Sequence, residues 1–269
     1  RVGFDEIYEE AIGAEMISYR LRELLHSGKR KLPLISAGCP SILNLIQIRF
    51  PNLMEHVVDY RPPVEVVASM ARREAERRHP DKKVGIFFIA PCTAKISFIK
   101  ESDEVVDSDI DKMIAISDIY KQVLQNLEEL KDEEIEDLEK AGMTGLRWPS
   151  PGGESLSLQT DDFVAVDGID KVIDIFEKIE DEKLDGLAFV ETEACRGGCF
   201  GGSLTVENSY SAKANIKPLI DEAKEKYGER TLNLPGEEDE LLRNRPLCYR
   251  PVLRLDEDLD VSLKKMEEM

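Results

Sequence analysis

Three short apolar runs, residues 32–36, 84–90 and 187–190, limit what this chain can fold into, because each is strand-length and each hands over directly to a cysteine. Val84-Gly85-Ile86-Phe87-Phe88-Ile89-Ala90 is apolar almost without interruption and reads as a strand buried on both faces, the kind found in parallel sheets. A further strand is predicted over 113–116. Between the strands the apolar spacing is helical. Phe4, Ile7, Tyr8, Ala11, Ile12, Met16, Ile17, Leu21, Leu24 and Leu25 mark one helix or two abutting ones over 3–26, and helices are also predicted over 41–49, 63–78, 117–130, 169–179 and 208–227. Strands alternating with helices define an α/β chain with parallel sheet.

The cysteines fall where such a fold places ligands. Cys39 lies in Ala37-Gly38-Cys39-Pro40, Cys92 in Pro91-Cys92-Thr93-Ala94-Lys95, and Cys195 follows the third run. Pro40 suits the first turn of a helix, so Cys39 sits at a helix N-terminus, whose dipole favours a thiolate. Crevices at the carboxyl ends of parallel strands are the usual ligand sites of α/β sheets. The third segment, Glu191-Thr192-Glu193-Ala194-Cys195-Arg196-Gly197-Gly198-Cys199-Phe200-Gly201-Gly202, adds a second thiol, with glycines that would let the backbone approach an inorganic cluster and aim N–H groups at it. Read alone, it is equally a Gly-rich turn with one buried and one exposed thiol. Lys95 reads as a surface lysine or as a cation aimed at the same crevice.

Composition narrows the partners. With 36 Lys+Arg against 55 Asp+Glu the formal charge is −19, which argues against nucleic acid and anionic membrane. No stretch approaches the roughly 20 apolar residues of a membrane span. Five cysteines, Cys248 being the fifth, are too few and too scattered for a disulfide scaffold and suit a reducing, cytoplasmic setting. His26, His56 and His79 have no partners at ligand spacing and read as structural or surface residues. The chain opens on Arg1 without a signal-peptide pattern, so a piece of something longer is expected. Trp148-Pro149-Ser150-Pro151-Gly152-Gly153-Glu154 is the clearest internal break, either a lobe boundary near 142–153 or a loop over a site. The expected organisation is one domain over 1–231, then a strap and short charged helix over 232–269. The acidic run around 133–139 reads as a solvated helix face.

Zinc competes for four thiols, but structural zinc sites usually take close C-x2-C pairs, whereas here one C-x3-C joins two distant singletons. That distribution fits an iron–sulfur cluster tying several loops together. A nucleophilic cysteine would want a base partner, and no histidine is placed to supply one.

The three motifs, in this order, resemble those of the iron-only (di-iron) hydrogenase catalytic-type domain. The resemblance spans about residues 13–208 and implies two lobes, each a small parallel sheet flanked by helices, with the cluster in the cleft between them. It implies Cys39, Cys92 and Cys195 as ligands of a 4Fe-4S cubane, Cys199 as its bridge to a di-iron subcluster, and Lys95 as hydrogen-bonded to a cyanide ligand of that centre. It also marks departures. Gly38 stands where the family has a proton-donating cysteine, and Tyr19-Arg20-Leu21-Arg22-Glu23-Leu24 stands where the family has relay carboxylates. Ala90 and Glu193 replace two methionines, and Gly201-Gly202-Ser203-Leu204 replaces the Gly-rich close of the third motif. Ligands kept and proton path lost is similar to the sensory or otherwise divergent branch, whose members carry ferredoxin-type or other cluster modules as partners. The expected function is redox or hydrogen sensing with weak or no hydrogen turnover. The alternatives are an active hydrogenase with a non-standard donor such as Glu193 or Glu154, or an electron-transfer protein holding only the cubane.

Overall fold

A computed structural model of the chain describes residues 2–101, 108–129, 141–228 and 242. The expected helix over 133–139, Cys248 and most of the 232–269 strap lie outside these residues.

Helix α1 (Glu10–His26) leads to β1 (Leu34–Ile35), α2 (Pro40–Arg49) and α3 (Pro63–Arg78); β2 (Phe87–Ala90), α4 (Thr93–Glu101), β3 (Lys112–Ala115) and α5 (Ile116–Glu129) follow. Two short helices, α6 (Met143–Arg147) and α7 (Gly153–Leu156), precede β4 (Phe163–Asp167), α8 (Ile169–Glu180), β5 (Phe189–Glu193) and α9 (Ser209–Tyr227). The strands form two small parallel sheets, one in the order β1-β5-β4 and one pairing β2 with β3. The α/β architecture is therefore the expected one.

Alternation along the first sheet explains why both of its faces are covered. Leu34 and Phe189 face one way, onto Met16, Ile17 and Leu21 of α1 and the buried Leu242. Their neighbours Ile35 and Val190 face the other way, onto Ile42 and Ile46 of α2 and Val172 and Phe176 of α8. A parallel strand pair buried on both sides needs apolar residues at every position, which is what these four residues supply. The second sheet departs from expectation. Phe88 and Ala90 pack on Val64 and Ala68 of α3, but Phe87 and Ile89 are 44% and 41% exposed, so β2 is covered on one face by the described residues. Its seven-residue apolar run is also longer than the strand that forms.

Helix α1 crosses α3 closely because Gly13 carries no side chain there: a Cβ would lie 2.4 Å from the Pro63 carbonyl oxygen. Arg72 on α3 has a structural role. Arg72 bonds the Asp109 carbonyl at 2.8 Å and the Asp111 carboxylate at 2.6 Å, tying α3 to the start of β3. His56 is buried with Nδ1 2.9 Å from the Pro33 carbonyl oxygen, a structural role as expected. No described helix is long and apolar enough to cross a membrane.

Candidate metal centre

The carboxyl ends of β1, β2 and β5 open onto one cavity of about 460 Å³, and all four candidate thiols line it. Cys39 is the N-cap of α2, with Pro40 in the first turn. Cys92 sits between β2 and α4, Cys195 two residues beyond β5, and Cys199 in a 3-10 turn over Gly198–Gly201. The first sheet thus contributes Cys39 and Cys195 and the second contributes Cys92, so the motifs converge only through the tertiary fold. Each of the four is a free, partly exposed cysteine. Among the described residues no three His, Cys, Asp or Glu side chains come close enough together to hold a single ion.

The electrostatics of this cavity are unusual. Burial raises the Cys39 thiol, while the backbone N–H groups of Ala194, Ile42 and Ser41 act in the opposite sense, favouring the thiolate; no side-chain cap hydrogen bond closes. Burial pushes Cys199 up to about 12 even with the Lys95 ammonium nearby. Cys195 is raised by burial and then by the charges of Cys39 and Cys92. Lys95, 7% exposed, would lose its proton more easily through burial, but the Glu10 carboxylate followed by Cys199 holds its pKa above the ordinary lysine value. Its Nζ donates to Glu10 Oε1 at 2.9 Å. Lys95 is therefore the cation of the crevice rather than a surface residue, and Glu10 is a cavity residue that sequence reasoning missed. The signal was faint, since Glu10 reads as an ordinary acidic residue in the first turn of a helix.

Glu154, Glu191 and Glu193 also line the wall, as does Glu207. Glu193, at the end of β5, has a buried Oε2 without a hydrogen-bond partner among the described residues, and burial, then the charges of Glu191 and Glu154, push it up to about 9. The stretch around 148–154, left open as a boundary or a loop over a site, forms part of this wall through Trp148, Pro149 and Glu154.

The glycines of the third motif allow close packing between loops. A Cβ on Gly202 would lie 2.4 Å from the Pro91 carbonyl oxygen, and one on Gly198 would meet the Pro149 carbonyl oxygen at 2.6 Å. These contacts are with protein, so the glycines let the Cys199 turn lie against the loops of Cys92 and Trp148. Backbone bonds from Cys199 N to Pro149 O (3.0 Å) and from Leu204 N to Pro91 O (2.9 Å) hold it there. The divergent Ser203 takes part as well, its Oγ accepting the Thr93 N–H at the head of α4 at 3.3 Å. Gly202→Ala is expected to force the turn off the Pro91 loop, because the clash is with backbone. Overpacking of this kind costs about 1–3 kcal/mol, which equilibrium urea unfolding would register.

The chain matches the family described as iron only hydrogenase large subunit, C-terminal domain, over residues 1–159 and 126–203, and it belongs to that family. It is similar in structure to a variant of FeFe-hydrogenase HydA1 from Chlamydomonas reinhardtii, at 18% identity over 93% of this chain and 86% of that one, with a TM-score of 0.65. It is similar too to HydA(deltaEFG), whose structure revealed stepwise H-cluster assembly, at 17% identity over 92% of this chain and 85% of that one, TM-score 0.64. A third FeFe-hydrogenase, described for oxygen damage to its H cluster 2Fe subcluster, matches at 18% identity over 93% and 86%, TM-score 0.64. These likenesses are of fold. No curated protein matches the chain in sequence.

Proposed function

We propose that the cavity binds a 4Fe-4S cluster through Cys39, Cys92, Cys195 and Cys199, that Cys199 is also the residue through which a di-iron subcluster would attach, and that the protein works in redox or hydrogen sensing with slow hydrogen turnover. The observation that carries this reading is the convergence of four thiols from two sheets on one cavity. Thiolates are the soft donors that iron–sulfur clusters take, and a polynuclear body is wider than one ion, which suits thiols spread around a wall better than a single zinc does. The bound cluster supplies electron transfer. The chain's own residues hold it, exclude water and set its charge: Lys95 brings a buried positive charge beside Cys199 and Cys92, fixed by Glu10.

The slow turnover follows from Gly38. With no side chain, it offers no transferable proton beside Cys39, and general acid–base groups contribute typically 10²–10⁴-fold where they are present. The partners proposed are ferredoxin-type or other cluster modules, in a cytoplasmic setting, and the organisation proposed remains one cluster domain over 1–231 with a break near 142–153.

Anaerobic reconstitution with iron and sulfide tests the reading. We expect stable binding of about four irons per chain in a cubane with the electron paramagnetic resonance of a reduced 4Fe-4S cluster. Folded protein that takes up no iron under these conditions overturns the cluster assignment. After exposure to the hydrogenase maturation machinery, carbonyl and cyanide infrared bands would report the di-iron subcluster, and their absence would leave the cubane alone. Hydrogen evolution by the matured protein at the rate of an ordinary hydrogenase would overturn the sensing role.

A further inference from the structure

Helix α5 keeps an apolar face that its own fold does not use. Within the helix Ile119 alone is buried, whereas Tyr120, Leu124 and Leu127 are 43%, 43% and 51% exposed. Steps of four and three residues put those three on one stripe, the spacing by which a helix packs against another helix. A single exposed leucine needs no explanation, but a continuous apolar stripe on a surface helix marks an interaction site.

The charges beside the stripe decide what fits it. Lys121 and Glu128, both exposed, are seven residues apart, close to two turns, so they lie on the same flank of the stripe. In a parallel helix pair each flank meets the opposite flank of the partner, whereas in an antiparallel pair like flanks meet. Opposite charges seven apart on one flank therefore complement the same flank of an antiparallel second copy. From this pattern we infer that α5 is a self-association face, pairing antiparallel with α5 of a second copy of the chain. Lys121 of each copy faces Glu128 of the other, so the contact occurs twice about the dyad, as a two-fold interface requires. In the same register Leu124 of each copy packs on Leu127 of the other, and Tyr120 closes each end of the seam. The apolar layers supply the attraction, while exposed ion pairs of this kind contribute little and fix the direction. Each copy carries a formal charge of −19 and the seam is one short helix, so the dimer is a weak one that fills with concentration.

The helix also reaches the thiol cavity. Ile116, its first residue, lines the cavity wall, and the Ser117 N–H donates to the Leu204 carbonyl oxygen at 3.0 Å, just past the Cys199 turn. Antiparallel pairing thus sets the two cavities at opposite ends of the helix pair. The pairing does not depend on what the cavity binds, and it is measured on cluster-free protein.

Sedimentation velocity of the full chain, with reductant present so that no intermolecular disulfide contributes, is expected to show a monomer–dimer equilibrium whose dimer fraction rises with loading concentration. Leu124→Asp buries two charges at the seam and should raise the dimer dissociation constant by about 100-fold or more. Leu124 is exposed in the single chain, so the circular dichroism of this variant should match the wild type. Lys121→Glu sets like charges against each other twice and should weaken the dimer by about tenfold, as should Glu128→Lys. The double exchange of Lys121→Glu with Glu128→Lys should restore the wild-type constant. A chain that stays monomeric up to its solubility limit overturns the inference, as does a dimer that Leu124→Asp leaves intact. Single reversals without effect, or a double exchange that fails to rescue them, overturn the antiparallel pairing.

Discussion

Cys39→Ser is expected to abolish cluster retention while leaving the cluster-free fold as stable as the wild type, or slightly more so. The two halves of this result have opposite physical origins at one atom. Cys39 is the N-cap of α2, its extended backbone (φ −112°, ψ 109°) leaving the first amides of the helix facing its side chain. A sulfur makes a poor cap, and no side-chain cap hydrogen bond forms here. A serine oxygen is among the better N-cap acceptors, and capping is worth about 0.5–2 kcal/mol relative to a residue that cannot cap. As a cluster ligand the ranking reverses. Iron–sulfur clusters are held by thiolates, and a serine hydroxyl gives up its proton far less readily than the Cys39 thiol, whose ionisation the nearby amides of Ala194, Ile42 and Ser41 favour. Iron content after reconstitution should therefore collapse, while the unfolding free energy of the cluster-free protein, measured in urea, holds or rises by up to about 1 kcal/mol. A parallel loss of iron and of cluster-free stability would mean that Cys39 is chiefly a packing residue. Cys248, which lies outside the described residues, is the internal control, and its substitution should leave iron content unchanged.

The parts of the site that were legible in the sequence are those that local chemistry fixes. Cys39 could be placed at a strand-to-helix junction because Pro40 starts a helix without needing an amide partner, and the structure has it there. The runs before Cys92 and Cys195 announced their strands by length and apolar content, though β5 extends over Phe189–Glu193, past the end of its apolar run. It does so because pairing with β4 runs on through Asp167↔Glu193, a register that depends on the partner strand. That partner was not predicted: four apolar residues after Asp161 and Asp162 are too short a run to separate from the lead-in to a helix.

What stayed hidden depends on contacts between segments distant in sequence. Lys95 and Glu10 are 85 residues apart, and Ser36 and Glu154 are 118 apart. No periodicity links such pairs. The glycines of the third motif were visible as glycines, but whether they open the backbone to a cofactor or to another loop depends on the neighbour. The neighbours turned out to be the Pro91 and Pro149 carbonyl oxygens. The family resemblance bridged part of this gap by fixing which motifs meet. It named Glu154 as an alternative donor in a stretch read as a lobe boundary or a loop over a site, but it could not foresee the hydrogen bond from Ser36.

The burial of Glu154 should leave a thermodynamic trace: Glu154→Gln is expected to be more stable than the wild type at pH 9 and nearly equal to it at pH 5. Glu154 has a carboxyl pKa raised in the folded protein to about 8 from an ordinary value of 4.5. A folded value above the unfolded one means that the native state binds the proton more tightly. Its contribution to stability is therefore complete below about 4.5, declines as the unfolded chain releases the proton, and is lost once pH has risen through about 8. Each pH unit within that window corresponds to about 1.4 kcal/mol for one proton, so the whole decline is on the order of 5 kcal/mol at most. Glutamine has nearly the same shape, keeps an oxygen for the Ser36 hydroxyl and has no charge to bury, so its stability should not fall through this window on account of residue 154. The difference between the two unfolding free energies, measured in urea at intervals from pH 5 to pH 9, isolates Glu154 together with its repulsion of Glu191 and Glu193. Curves that run parallel across the range would mean that Glu154 is an ionised carboxylate in the folded protein. Curves that diverge upward from about pH 5 would show that the fold sacrifices stability to keep an ionisable group beside the thiols. That is the pattern expected where a perturbed carboxyl serves a functional site and not the core.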